Sequence, residues 1–157
     1  MQVKIKLLEG GIMPTKKSKG AAAFDCYARE TITIAGDDPT LIGLGFALEI
    51  PEGYHAEIVP RSSIGLCTRL RQPNSVGIID SDYRGEVKAM YEVRAETRYS
   101  TDRYALFYTP VEINKGDRIA QMLIKRNEDV EFLEVDELSD TERGENGFGS
   151  TGRNEFK

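Results

Sequence analysis

The sequence predicts an all-β fold. Three observations carry that prediction. Apolar and polar residues alternate in short runs along most of the chain, and Gly, Pro and Asp turn residues separate those runs. No stretch of about a dozen residues repeats its apolar positions at a helical period. Alternation with a period of two turns one face of a strand inward and leaves the other in water. Many short strands punctuated this way build a sandwich or a barrel. The 157 residues fit one domain with a single core.

Taken in order, Val3, Ile5 and Leu7 alternate with Gln2, Lys4 and Lys6 to give a first strand. Ile32 and Ile34 repeat the pattern. The run from Leu41 to Ile50 reads as a strand that stops at the turn Pro51-Glu52-Gly53, and residues 54–59 make the next. At most one short helical turn follows Arg61-Ser62-Ser63, with the serines as its caps. Glu86 to Val93 alternates through Val87, Ala89, Tyr91 and Val93. Residues 94–104 read as an extended hairpin with alternating charges, turning about Ser100-Thr101-Asp102. Tyr104 to Val111, Ile119 to Ile124 and Val130 to Val135 complete the strands. Residues 1–136 form the domain. Residues 137–157 are acidic and then glycine-rich through Gly144, Gly147, Gly149 and Gly152, which predicts a flexible arm. Arg143, Phe148 and Arg153 distinguish that arm from a frayed end.

Composition narrows the function. With 21 basic and 26 acidic residues the net charge is -5, which argues against nucleic acid as a partner. Arginines that converge locally can still bind an anionic nucleotide. No apolar run approaches the ~20 residues of a membrane helix, so no membrane partner is expected. The alternating N-terminus is not a signal sequence, which predicts an intracellular, cytoplasmic protein. Cys26 and Cys67 give neither a disulfide framework nor a zinc pattern, and read as reduced, partly buried thiols. His55, the one histidine, reads as a strand residue near the site.

The chemistry concentrates in five segments: Ala22-Ala23-Phe24-Asp25, Pro60-Arg61-Ser62-Ser63, residues 77–85, residues 116–121, and the tail from Arg143 to Gly152. In Gly77-Ile78-Ile79-Asp80-Ser81-Asp82-Tyr83-Arg84-Gly85, an acid directly follows an apolar pair. A carboxylate with an ordinary pKa of ~3.9 is ionised at neutral pH and can orient a water and take its proton. Asn74 offers an amide that both donates and accepts. Arg61, Ser62 and Ser63 supply a cation and donors suited to an anion.

In this order the five segments resemble the trimeric deoxyuridine triphosphatases, the dUTPase family, over roughly residues 20 to 153. The resemblance implies a jelly-roll-like β-barrel, a homotrimer, and an arm that closes over bound nucleotide. It implies hydrolysis of dUTP to dUMP and pyrophosphate with Mg²⁺ as cofactor. Asp80 would activate the water that attacks the α-phosphorus, which lowers dUTP and supplies dUMP for thymidylate synthesis. Tyr83 would pack on the deoxyribose and exclude a 2′-hydroxyl. Asn74 would contact uracil, helped by the backbone of a hairpin over residues 75–80 that includes Gly77 and Ile79. Lys88 would join the substrate-binding residues. Arg61, Ser62, Ser63 and Gln121 would hold phosphates, Phe148 would stack on the base, and Arg143, Gly149, Ser150 and Thr151 would close on the γ-phosphate end. Asp25 would approach the metal through water, or pair with Arg61 in a buried ion pair.

The chain departs from the family pattern at Ala23, Ser63 and Asn146, where glycine is frequent, and in the longer 94–104 connection. That hairpin is the natural surface for a regulatory protein partner, if hydrolysis is secondary to binding. The related dCTP deaminases need a glutamate a few residues beyond the Asp-Tyr-Arg-Gly segment, where this chain has Met90. A purely structural β module leaves the density of matched residues without a reason.

Overall fold

The computed structural model describes residues 1–100 and 103–146. Thirteen strands and one short helix are found among them: β1 (Lys4–Leu7), β2 (Phe24–Tyr27), β3 (Ile32–Ile34), β4 (Thr40–Gly43), β5 (Phe46–Glu49), β6 (Tyr54–Pro60), α1 (Ser62–Cys67), β7 (Leu70–Arg71), β8 (Gly77–Ile79), β9 (Lys88–Val93), β10 (Glu96–Ser100), β11 (Arg103–Phe107), β12 (Val111–Ile113) and β13 (Arg118–Arg126). The all-β prediction holds. Pairing is antiparallel throughout, in a four-stranded sheet ordered β2-β13-β6-β8, a three-stranded sheet ordered β4-β9-β7, and the pairs β1-β5, β3-β12 and β10-β11.

The alternation seen in the sequence becomes the core. In β9, Ala89, Tyr91 and Val93 are buried while Lys88 is exposed. In β6, Ala56 and Ile58 are buried between half-exposed neighbours. Tyr91 is fully buried and donates its hydroxyl to the Ile119 carbonyl at 2.6 Å, so its polar end is satisfied inside the core. Burial pushes that phenol's pKa upward. Ile34, Ile42, Leu44, Phe46 and Ile58 pack around it in the same cluster.

Several expectations are corrected. The run from Leu41 to Ile50 is two strands, β4 and β5, broken at Leu44-Gly45. Gly45 sits at φ +74, and a Cβ there would lie 2.4 Å from the Gly11 Cα. A distant segment crosses so closely that only glycine fits. The run from Tyr104 to Val111 also divides, into β11 and β12, with Pro110 directly before β12; proline lacks the ladder donor. Val130 to Val135 forms no strand. Val130, Phe132 and Leu133 are 64%, 96% and 84% exposed, because their alternation finds no partner strand among the described residues. The helix begins at Ser62, but Arg61 occupies its N-cap and no side chain caps it. Residues 75–80 are not a hairpin: β8 pairs with β6, and the tight turn lies before it, at residues 72–76. Cys26 is buried, its thiol pushed up to about 12 by burial and by Asp25, whereas Cys67 is exposed. The long hairpin is present: β10 and β11 pair from Glu96↔Phe107 to Ser100↔Arg103, with its expected turn residues Thr101 and Asp102 outside the described residues.

Candidate active site

β8 is the edge strand of the four-stranded sheet, and its ladder with β6 ends at Ala56↔Ile79. Asp80 is the next residue, exposed, where the chain leaves the sheet. A turn follows, closed by the Tyr83 amide donating to the Asp80 carbonyl at 3.2 Å. Arg84 braces it by donating to the Ser81 carbonyl at 2.6 Å and the Tyr83 carbonyl at 3.1 Å. The strand therefore fixes the carboxylate's backbone, and the turn brings Tyr83 beside it. Both line a cleft of about 320 Å³ with Leu41, Ile78, Ile79, Glu86 and Lys88. Its apolar wall is open to solvent, Leu41 being 53% and Ile78 54% exposed. A cleft with one apolar wall and a few polar groups suits a small ligand with a flat face and a charged end.

Tyr83 is held by a neighbour without a side chain. A Cβ at Gly85 would lie 2.4 Å from the Tyr83 hydroxyl oxygen, and that hydroxyl donates to the Glu86 carbonyl at 3.2 Å. The Glu86 carboxylate accepts from the Gly45 amide at 3.0 Å and pairs with Arg29 at 3.2 Å. It enters over Gly43, where a Cβ would meet it at 2.5 Å. The floor of this cleft is thereby tied to the strand break at residues 44–45.

A second cluster surrounds Asp25 on β2. Arg61 donates from Nε to Asp25 Oδ1 at 3.1 Å, Gln121 from Nε2 to the same oxygen at 3.2 Å, and Arg118 from Nη1 to Oδ2 at 2.9 Å. Arg61 Nη1 reaches on to Ser63 Oγ and the Arg118 carbonyl, both at 3.2 Å. Ser62 is exposed at the start of α1. A register shift between Arg118 and Ala120 against β2 buries both Ile119 and Ala120 while Arg118 turns to Asp25. Two arginines, Gln121 and Ser63 thus gather around one buried acid, leaving positive charge in excess. Of the two roles open for Asp25, the ion pair with Arg61 is present. Among the described residues no group of three His, Cys, Asp or Glu side chains could hold a metal.

Asp25 is 5% exposed. Burial alone would raise its pKa; the hydrogen bonds from Arg118 and Gln121 and the charges of Arg61 and Arg118 outweigh this and hold it below the ordinary carboxylate value. A depressed folded-state pKa stabilises the fold above the unfolded value of ~3.9, and that stability is lost as pH falls through the folded value. Asp25→Asn is expected to cost about 3 kcal/mol at pH 7, the low end for a broken buried pair, since it leaves the half-buried Arg61 and the more exposed Arg118 without their anion. Urea unfolding from pH 7 to pH 3 checks this: the wild-type advantage should hold at pH 5 and shrink below about pH 4. An unchanged midpoint in the variant would contradict it.

The two clusters do not meet within one chain. Arg61, Ser63 and Arg118 line a separate cleft of about 360 Å³ that shares no lining residue with the Asp80 cleft. Asn74 is exposed in the turn before β8, and Gly77 and Ile79 lie on β8 itself. His55 lies on β6 and lines neither cleft, bonding Asn127 and pairing with Glu57 at 3.5 Å. Arg143 is exposed in a tail turn, donating to the Asn146 carbonyl at 2.8 Å. Phe148, Gly149, Ser150, Thr151 and Arg153 lie outside the described residues. Arg118 and Glu86 were missed from sequence. Arg118 stood inside one of the five segments, three residues before Gln121, and an arginine within that segment was the available signal.

The dUTPase family model matches residues 9–152. The chain belongs to the dUTPase family. Among curated relatives, the deoxyuridine 5'-triphosphate nucleotidohydrolase of Nautilia profundicola is 41% identical over 154 residues, covering 98% of this chain and 100% of the relative. That of Yarrowia lipolytica is 39% identical, covering 100% and 93%. Among solved structures, the Staphylococcus bacteriophage 80alpha dUTPase with dUpNHpp superposes with a TM-score of 0.80 at 28% identity, covering 97% of this chain and 99% of that one. A mutant dUTPase from phage phi11 of S. aureus, whose structure details coordination of a structural Mg(II) ion, gives 0.73 at 26%, covering 87% and 98%. These neighbours place the β-strands in the jelly-roll-like dUTPase fold that the resemblance implied.

Proposed function

We propose that the protein hydrolyses dUTP to dUMP and pyrophosphate, with Asp80 as the base. The observation that carries this reading is the fixed pairing of Asp80 and Tyr83 on one apolar-walled cleft, in a chain of the dUTPase family. Asp80 accepts a proton as water oxygen bonds to the α-phosphorus. The bond from the α-phosphorus to its bridging oxygen breaks in line, and pyrophosphate leaves. Tyr83 sits against the deoxyribose and leaves no room for a 2′-hydroxyl. Asn74, Gly77 and Ile79 meet the uracil edge, and Lys88 lines the same cleft. The cluster of Arg61, Ser62, Ser63 and Gln121, joined by Arg118, receives phosphates. Met90, half-buried on β9, stands where deamination would need a glutamate.

Mg²⁺ fits this site as an ion carried mainly by the triphosphate and water. Both Asp25 oxygens already accept from Arg61, Gln121 and Arg118, so Asp25 would reach it only through water. When bound, the ion neutralises charge on the leaving pyrophosphate.

If Gly85 shapes the sugar wall by admitting the Tyr83 ring, Gly85→Ala should raise KM for dUTP and cut the dUTP-to-UTP preference, each roughly tenfold, by displacing that ring. Steady-state kinetics on both nucleotides read this, and an unchanged preference would remove Tyr83 from sugar selection.

The separation of the two clefts supports a homotrimer in which each site draws on more than one chain. Arm residues Arg143, Phe148, Gly149, Ser150 and Thr151 would come from another copy than Asp80. Mixing tests this. Chains lacking residues 143–157 and Asp80→Asn chains should each be nearly inactive, and co-refolded together they should recover about one quarter of wild-type sites. No recovery would mean that Asp80 and the arm act within one chain.

A second reading adds a regulatory protein partner to the same enzyme. The β10–β11 hairpin presents Leu106 at 63% and Phe107 at 43% exposure. The 80alpha neighbour is a phage dUTPase described as controlling transfer of virulence genes by a G protein-like mechanism. Among the described residues no helix is long and apolar enough to cross a membrane.

A further inference from the structure

Gln72 is the one uncharged polar side chain buried in the described core, at 7% exposure, in the turn that leads into β8. Its Nε2 donates to the Ile58 carbonyl on β6 at 2.9 Å and to the Ser75 carbonyl within the turn at 3.2 Å. Its Oε1 is buried with no hydrogen-bond partner among the described residues. A half-satisfied amide is a poor choice for the core alone, because an apolar side chain of the same size would leave no buried acceptor unpaired. The position therefore calls for a reason other than burial.

The two donated bonds supply one. Along β8 the β6–β8 ladder has its first registered pair at Ile58↔Gly77. Just ahead of it the chain turns sharply: Ser75 adopts φ +58, the Val76 amide donates to the Asn74 carbonyl at 2.6 Å, and the Ser75 amide donates to the Gln72 carbonyl at 3.1 Å. A left-handed serine is strained and persists only where its surroundings hold it. Gln72 ties the carbonyl of that serine to β6. Asn74 Nδ2 and the Ile58 carbonyl lie beside Gly77, at an ordinary contact distance of 3.6 and 3.7 Å from where its Cβ would stand.

We infer that Gln72 is a positioning residue for base recognition: its amide clamps the 72–76 turn to β6 and so sets where Asn74 and the β8 backbone meet the pyrimidine. This rests on the base-site reading given above. Gln72 touches no substrate and acts through the turn.

Gln72→Met keeps the volume and removes both donated bonds. The expected result is a KM for dUTP raised roughly tenfold with kcat within about twofold, and a dUTP preference over dTTP and dCTP reduced roughly tenfold, since a small misplacement of recognition groups is costly. The melting temperature should stay within about 4 °C, because the variant loses the unpaired Oε1 as it loses the bond to Ile58, and Ser75 is exposed, so water can replace the bond to its carbonyl. Gln72→Glu, which keeps length and polarity but turns an acceptor toward two carbonyls, should weaken dUTP at least as much, and serves if the Met variant does not fold. Wild-type KM and selectivity in either folded variant would overturn the inference. So would equal losses in kcat/KM for all three nucleotides, which mark a general structural defect. Asn74→Ala, assayed alongside, separates the two readings. If it leaves dUTP binding unchanged, the base-site reading fails; if it weakens binding while Gln72→Met does not, only the clamp fails.

Discussion

Asp80→Asn is expected to lower kcat for dUTP by roughly 100-fold or more while leaving nucleotide binding nearly unchanged. The amide keeps the side chain's shape and can still hold a water, but it cannot accept that water's proton. Backbone placement should survive, because Asp80 is set by the end of the β6–β8 ladder and by the 80–83 turn, whose bond uses the Asp80 carbonyl. The carboxylate is exposed and takes no part in the core. Titration with a non-hydrolysable dUTP analogue and single-turnover hydrolysis separate the two effects. Near-normal turnover would transfer the base role elsewhere, with Asp82 the first residue to examine.

Removing residues 143–157 should also lower kcat strongly, and should spare folding. Among the described residues the last strand ends at Arg126, and residues 127–146 add none, so the truncation leaves β1 to β13 whole. The role proposed for the arm is closure. Phe148 would engage the base, Arg143 with Ser150 and Thr151 would engage the terminal phosphate, and water would be excluded between them. Ordering a glycine-rich segment costs roughly 1–2 kcal/mol per residue in backbone entropy, so only a ligand that engages both anchors should hold it. Amide exchange in the arm should therefore slow with a triphosphate analogue and Mg²⁺, and much less with dUMP. Full activity after truncation, or equal protection by both ligands, would reduce the arm to a frayed end.

The sequence carried the fold where a local pattern decides it. Alternation in β6 and β9 became burial, because a period of two has one structural meaning when a sheet covers one face. It could not show where a partner strand is missing, so Val130 to Val135 read as a strand and is not one in this chain. Nor could it show the break between β4 and β5, which depends on Gly11 approaching Gly45 from 34 positions away. Asp80 and Tyr83 were legible because a few consecutive residues hold them. The network of Arg61, Arg118 and Gln121 on Asp25 was only half legible, since it is assembled from two strands and the start of a helix. Gln72 was invisible, as a lone glutamine carries no pattern, and only its burial gives it meaning.

The central claim is tested most directly by measuring pyrophosphate release from dUTP, UTP, dTTP and dCTP in parallel, with and without Mg²⁺. The account predicts Mg²⁺-supported release from dUTP, with kcat/KM for each other nucleotide lower by about 10⁴ or more, the scale reached when a site's polar groups go unpaired. Comparable kcat/KM for UTP or dCTP, or ammonia released from dCTP, would contradict it.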